Sequence, residues 1–154
     1  MTPVLLVVTG PPGAGKSTLA RRLALDLGRP ALHRDEIHAG MDPPDMLRTY
    51  DVFFAAIRLY LTNDVSHVAE AAFQHPAWAR GLEPLLRHGD VRILRCRAST
   101  AALDRRIAQR GRPPRDHTFD PVRLDVPTLD VETTDGYAPG LDVLRGFASP
   151  ATSS

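Results

Sequence analysis

The chain has 154 residues, 43% hydrophobic and 24% charged, with a net charge of +1. That composition suits one ordinary globular domain and excludes a polybasic nucleic-acid coat or an acidic tail. The longest apolar runs, Val4–Val8 and Val52–Ile57, fall far short of the roughly 20 residues that span a bilayer. Cys96 is the only cysteine, which excludes internal disulfides and cysteine-built zinc sites. No basic stretch leads into a signal-like apolar run at the N-terminus, so the expected location is cytoplasmic.

Val4–Thr9 is continuous, apolar and β-branched up to Gly10, as a strand buried on both faces of a parallel sheet should be. From Lys16 onward, Leu19, Ala20, Leu23, Ala24 and Leu27 share one helical face, and Gly28 with Pro30 closes it. Ala31–His33 predicts a short second strand, and Pro43-Pro44 breaks the chain. Met46–Leu61 predicts a helix that packs Leu47, Tyr50, Phe53, Phe54, Ile57 and Leu61 at helical spacing. Val65–Phe73 is read as the third strand, although its alanines suit a helix; Ala77–Leu86 is a helix and Val91–Arg97 a strand. Thr100–Gln109 is helical, Arg110–Asp125 is a loop without an apolar period, Pro127–Thr133 is the last strand and Leu141–Phe147 the terminal helix. Strands alternating with helices predict an α/β sandwich on a mostly parallel sheet. Residues 1–147 form one expected domain, with 148–154 a frayed tail.

Gly10-Pro11-Pro12-Gly13-Ala14-Gly15-Lys16-Ser17 matches G-x-x-x-x-G-K-[ST] at every defined position, after a buried strand and at the start of a helix. A chance match in a chain this long arises on the order of half a per cent of the time, before that context is counted. Glycines let the backbone close around phosphate oxygens, and the helix start offers unpaired N–H groups. Pro11 and Pro12 cannot donate, so the expected donors are the amides of Gly13, Ala14, Gly15, Lys16, Ser17 and Thr18. Lys16 would reach the β- and γ-phosphates, and Ser17 would ligate Mg²⁺. Lys16 is the only lysine among 19 basic residues; it is expected to be partly exposed and to supply a compact charge that arginine does not reproduce. The [NT]KxD motif of Ras-type guanine-nucleotide switches needs a second lysine, so ATP is the expected nucleotide. Large AAA+ machines need longer chains and an apolar strand ending in Asp-Glu.

With the P-loop, Arg34-Asp35-Glu36 and Leu103-x-Arg105-Arg106-x-x-x-x-Arg110-Gly111, the chain resembles the small P-loop kinases. That group includes chloramphenicol phosphotransferase, gluconate kinase, zeta-toxin and polynucleotide 5′-kinase. Ala69–Phe73 and Thr133–Tyr137 are most similar to bacterial chains grouped as ATP-binding predicted kinases. The resemblance covers roughly residues 4–147. It implies a three-layer P-loop NTPase sandwich, a five-stranded parallel sheet of order 2-3-1-4-5, a flexible lid read onto 110–125, and transfer of the ATP γ-phosphoryl to a hydroxyl.

Carried onto this chain, the resemblance makes Asp35 the base that accepts the acceptor's proton; a helix N-cap is the other reading. Arg34 and His38 become acceptor-site candidates, each with a solvated-surface alternative. Glu70 takes the place of the carboxylate that holds Mg²⁺ or its water, where aspartate is usual, with a plain surface acid as the alternative. Arg105, Arg106, Arg110, Arg112 and Arg115 form the densest basic segment. Arg106 is the expected nucleotide contact and Arg110 the expected catalytic guanidinium, while some of the five serve only as a solvated helix end. Trp78 and Phe73 are expected in the core and Cys96 as an inert buried thiol. The expected partners are ATP, Mg²⁺ and a small-molecule hydroxyl acceptor. A polynucleotide or nucleoside 5′-kinase and a regulatory ATP-binding protein with little turnover are the alternatives.

Overall fold

A computed structural model describes residues 2–72 and 74–149. Five strands, β1 (Val4–Thr9), β2 (Ala31–His33), β3 (His67–Glu70), β4 (Asp90–Arg97) and β5 (Thr128–Glu132), form one sheet in the order β2-β3-β1-β4-β5. Every pairing is parallel, so each connection crosses a face and all carboxyl ends share one edge. The helices are α1 (Lys16–Leu27), α2 (Arg34–Ala39), α3 (Met46–Thr62), α4 (His75–Leu82), α5 (Thr100–Gln109) and α6 (Leu141–Phe147). The α/β sandwich and its strand order are those the resemblance implies.

β1 lies at the centre with all six residues buried. Leu5 and Val7 face Phe53, Ile57, Leu61, Trp78 and Leu82; Leu6 and Val8 face Leu19, Leu23, Leu94, Leu103 and Leu144. Two cores, one on each face, thus hold the strand from which the P-loop springs. Phe53, Phe54 and Trp78 meet edge to face at 5.6–6.4 Å, so Trp78 is core as expected; Phe73 lies outside the described residues.

Several element boundaries differ from expectation. Helix α3 is capped by Asp45, whose carboxylate accepts from the Arg48 N–H at 3.0 Å. Its buried face is Thr49, Phe53, Ile57 and Leu61, and Leu47 is 78% exposed because it lies roughly 200° around the helix from Thr49. The third strand is four residues rather than nine: the Val65 N–H still bonds Tyr60 at the end of α3, and the Ser66 hydroxyl takes the Val4 N–H. The helix expected over 77–86 starts earlier, at His75, and yields at Glu83-Pro84 to a 3-10 turn over Glu83–His88, since Pro84 has no N–H to continue an α-helix.

The stretch 110–125 is irregular, but it is not uniformly detached. Val122 is 1% exposed, and Leu124 and Val126 pack against the same core. The Asp120 N–H bonds Gln74 at 2.7 Å, the Arg123 N–H bonds His75 at 3.1 Å, and His117 meets Asp104 at 2.6 Å. An alternating Val-x-Leu-x-Val run is hidden there among charged residues, and it makes 117–126 a strap over the sheet. At the other end, the expected tail begins with a fully buried Ala148 whose carbonyl accepts from Arg29 at 2.8 Å; residues 150–154 lie outside the described residues.

Candidate active site

The shared carboxyl edge gathers the P-loop after β1, Arg34 and Asp35 after β2, Glu70 at the end of β3, Arg106 on the helix following β4 with Arg110 capping its end, and Thr133 after β5. In the P-loop, Gly13 has φ +86° and Gly15 has φ +78°. A Cβ on Gly13 would also stand 3.0 Å from the Leu103 carbonyl, so this turn closes only with glycine. Arg106 donates to the Gly13 carbonyl at 3.0 Å, and the Thr133 hydroxyl donates to the Ala14 carbonyl at 2.7 Å. Because C=O and N–H oppose each other across a trans peptide, holding the Ala14 carbonyl outward turns the Gly15 N–H away from Thr133. The amides of Gly13, Gly15, Lys16, Ser17 and Thr18 have no partner among the described residues, leaving an anion cradle at the helix start. Ala14 departs from expectation, since its N–H bonds the Pro11 carbonyl at 3.1 Å.

Lys16 is 8% exposed rather than partly exposed. Its ammonium reaches the Pro11 carbonyl at 3.4 Å and lines the cavity beside the cradle. Burial lowers its pKa, against the raising effect of Glu70 and Asp35. The chain therefore holds one charge where a phosphate would relieve its desolvation.

Glu70 is no surface acid: it is 3% exposed, and one oxygen, Oε1, meets both the Ser17 hydroxyl at 2.7 Å and His33 Nδ1 at 2.8 Å. Burial pushes its pKa up, but the hydrogen bonds of His33 and Ser17 and the charge of Lys16 outweigh that, and the carboxyl is held below its usual range. His33 stands directly opposite Glu70 in the β2–β3 register. Sequence reasoning missed it, and its position at the carboxyl end of β2, one residue before Arg34-Asp35, was the only available signal. These donors suit Mg²⁺: a hydroxyl and an ionised carboxylate are hard oxygen ligands, and this ion takes few protein ligands besides phosphate oxygens and water.

Asp35 lies in the first turn of α2, whose N-cap is His33, so the capping alternative does not hold. Its side chain is 69% exposed and pairs with Arg34 at 2.7 Å, and Arg34 in turn donates to the Tyr50 hydroxyl at 3.0 Å. Arg34 thus positions Asp35 and is nearly enclosed. Burial opposes ionisation of Asp35, but Arg34, Lys16 and Arg112 together hold its pKa below the usual value. His38 Nδ1 meets the Thr49 hydroxyl at 2.9 Å, and that hydroxyl bonds the Asp45 carbonyl at 2.7 Å. Thr49 has one proton, committed to Asp45, so Nδ1 carries the histidine proton.

A cavity of about 460 Å³ joins these parts, lined by Gly13, Lys16, Arg34, Asp35, His38, Met46, Ala72, Ile107, Arg110, Arg112 and Arg115 among others. Arg105 is exposed outside it. Arg106 acts through the loop: besides Gly13 it donates to the Thr133 and Thr134 carbonyls, bracing the P-loop against the β5 exit. A second cavity of similar size lies behind Gly10 and Pro11, beneath the strap at Arg95, Phe119 and Asp130; it contains none of the expected site residues. Cys96 on its wall is 1% exposed, and burial pushes its thiol up to about 12, as an inert core cysteine requires.

Residues 5–126 match the AAA_33 family, described as AAA domain, and the chain belongs to that family. No curated protein matches it. Among solved structures, a protein of Chloroflexus aurantiacus J-10-fl assigned as a kinase is 25% identical with a TM-score of 0.74, over 88% of this chain and 90% of that one. A sugar kinase from Janibacter sp. HTCC2649 is 15% identical with a TM-score of 0.67, over 100% and 99% of the two chains. A gluconokinase from Sinorhizobium meliloti 1021 is 20% identical with a TM-score of 0.62, over 96% and 91%. The fold is thus that of P-loop kinases. No helix among the described residues is long and apolar enough to cross a membrane.

Proposed function

We propose that this protein is an ATP-dependent kinase that transfers the γ-phosphoryl group to a hydroxyl of a small molecule. The observation that carries this reading is one cavity holding a phosphate cradle with Lys16 on one side and an ionised, outward-facing Asp35 on the other. A nucleotide-binding module needs the first of these and has no use for the second.

The amides of Gly13 and Gly15–Thr18 would hold the phosphates, with Lys16 toward the β- and γ-groups. Ser17 and Glu70 would hold Mg²⁺, whose chemistry there would be neutralisation of charge on the terminal phosphates. Asp35 accepts the acceptor's hydroxyl proton as its oxygen bonds to the γ-phosphorus and the bond to the β-bridging oxygen breaks, giving a phosphate ester, ADP and a proton. Arg110 would meet the charge on the transferring group. The lid of this reading is 110–116, where only Asp116, accepting from Thr118, meets the strap among the described residues. Sugar kinase and gluconokinase neighbours support a small acceptor over an oligonucleotide.

The test is ADP release across alcohols, sugars, nucleosides and short oligonucleotides, with Lys16→Met beside the native protein. Acceptor-dependent release that Lys16→Met abolishes, with an unchanged circular dichroism spectrum, is the expected result. Stabilisation by ATP with no acceptor-dependent turnover would make the protein a binding module.

A further inference from the structure

Charge in the cavity is badly out of balance. Five cationic side chains, Lys16, Arg34, Arg110, Arg112 and Arg115, line it against one carboxylate, Asp35. Arg34 and Asp35 cancel as a pair. The side chains of Arg110, Arg112 and Arg115 have no hydrogen-bond or ion-pair partner among the described residues, although acids elsewhere on the surface are paired with arginines. Mg·ATP brings about two net negative charges and the buried Glu70 carboxylate beside Lys16 a third, which answers roughly three of the four remaining cations.

The remaining positive charge has a place. Arg110 is the guanidinium whose charge acts on Lys16, on the phosphate side, and Arg112 is the one that acts on Asp35, on the acceptor side. Arg115 lines the same wall. The rest of the acceptor side offers apolar Met46, Ala39 and Ala72 and the polar His38. A volume of about 460 Å³, shared with the terminal phosphates, leaves room for a molecule of roughly hexose size.

We propose that the acceptor is a small anionic hydroxy compound, a carboxylate or phosphate ester, whose negative group is bound by Arg112 and Arg115 while its hydroxyl faces Asp35. This rests on the kinase reading above and goes further by fixing the acceptor's charge. Guanidinium planes bind either anion through paired N–H groups, so the two chemistries are separated by experiment.

Acceptors are offered in pairs differing by one anionic group: gluconate against glucitol, glycerate against glycerol, and glucose 6-phosphate against glucose. ADP release is measured with Mg·ATP, and calorimetry follows binding of the same compounds to the ADP-loaded protein. At least one anionic member is expected to bind and to exceed its neutral partner in kcat/KM by about tenfold or more, the scale of a charge-assisted hydrogen bond. The carboxylate or phosphate arm that responds identifies the group. Arg112→Ala or Arg115→Ala should then raise the KM for that compound about tenfold, with a much smaller change in the KM for ATP. A neutral member used as well as its anionic partner overturns the proposal and leaves the kinase reading intact. Failure of every anionic member to bind also overturns it, while the kinase reading is decided separately by the wider alcohol panel and Lys16→Met.

Discussion

Asp35 and His33 divide the chemistry between them, and single substitutions separate their parts. Asp35→Asn keeps the shape but cannot take a proton, so turnover should fall by roughly 10²–10⁴-fold. ATP affinity, set by the loop amides and Lys16, should hold within about twofold; equal loss of both would make Asp35 structural, and paired binding and turnover measurements decide. His33 holds Glu70 Oε1 across the strand pair, which matters because glutamate is longer and freer than the aspartate usual in this place. His33→Ala should leave nucleotide binding unchanged without magnesium and reduce the extra stabilisation that magnesium adds to ADP by about tenfold in apparent affinity. His33→Asn, which keeps a donor, should recover part of it. Thermal shifts with ADP, with and without magnesium, give the answer, and an equal loss in both conditions would reduce His33 to packing.

At the scale of elements, β3 carries a buried histidine as well as Glu70. His67 is fully buried, its Nδ1 meets the Val65 carbonyl at 3.0 Å, its ring packs edge-on to Tyr60, and its Nε2 has no partner among the described residues. Burial lowers its pKa, against the Val65 hydrogen bond. The folded form therefore resists a proton that the unfolded chain accepts, so stability is full above about pH 6.5 and declines as pH falls toward the folded value, by up to about 1.4 kcal/mol per pH unit. His67→Leu should flatten the melting temperature between pH 6.5 and 5 relative to the native protein; parallel curves would refute this. The elements differ in how well sequence revealed them. The P-loop was legible because its chemistry lies in eight consecutive residues, and β1 because burial on both faces leaves an unbroken apolar run. The length of β3 was not, because the end of α3 still holds Val65 and the register with β1 covers only His67–Glu70. His33 was not, because its role arises from cross-strand register, and Thr133 was not, because its carbonyl partner is 119 residues away.

Across the whole molecule, the strap and the lid divide a stretch that looks uniform in sequence. Residues 117–126 are tied to α4, α5 and the core, whereas 110–116 have exposed side chains and carry Arg110, Arg112 and Arg115. Without ligand, hydrogen exchange should be fast at Arg115 and Asp116, whose amides lie beyond the turn that closes α5, and slow markedly with Mg·ATP or a bisubstrate analogue, while the amides of Asp120 and Arg123 stay protected throughout. Slow, ligand-independent exchange at Arg115 and Asp116 would remove the lid. The chain's preference for arginine has a separate outcome. With a single lysine among 19 basic residues, acylation of lysine has one address in this chain, and that address is the floor of the phosphate cradle. Burial weakens the hold of the Lys16 ammonium on its proton, and the free amine is the form that attacks acyl donors. An acetyl group there would erase the cradle's central charge and leave every arginine pair on the surface untouched.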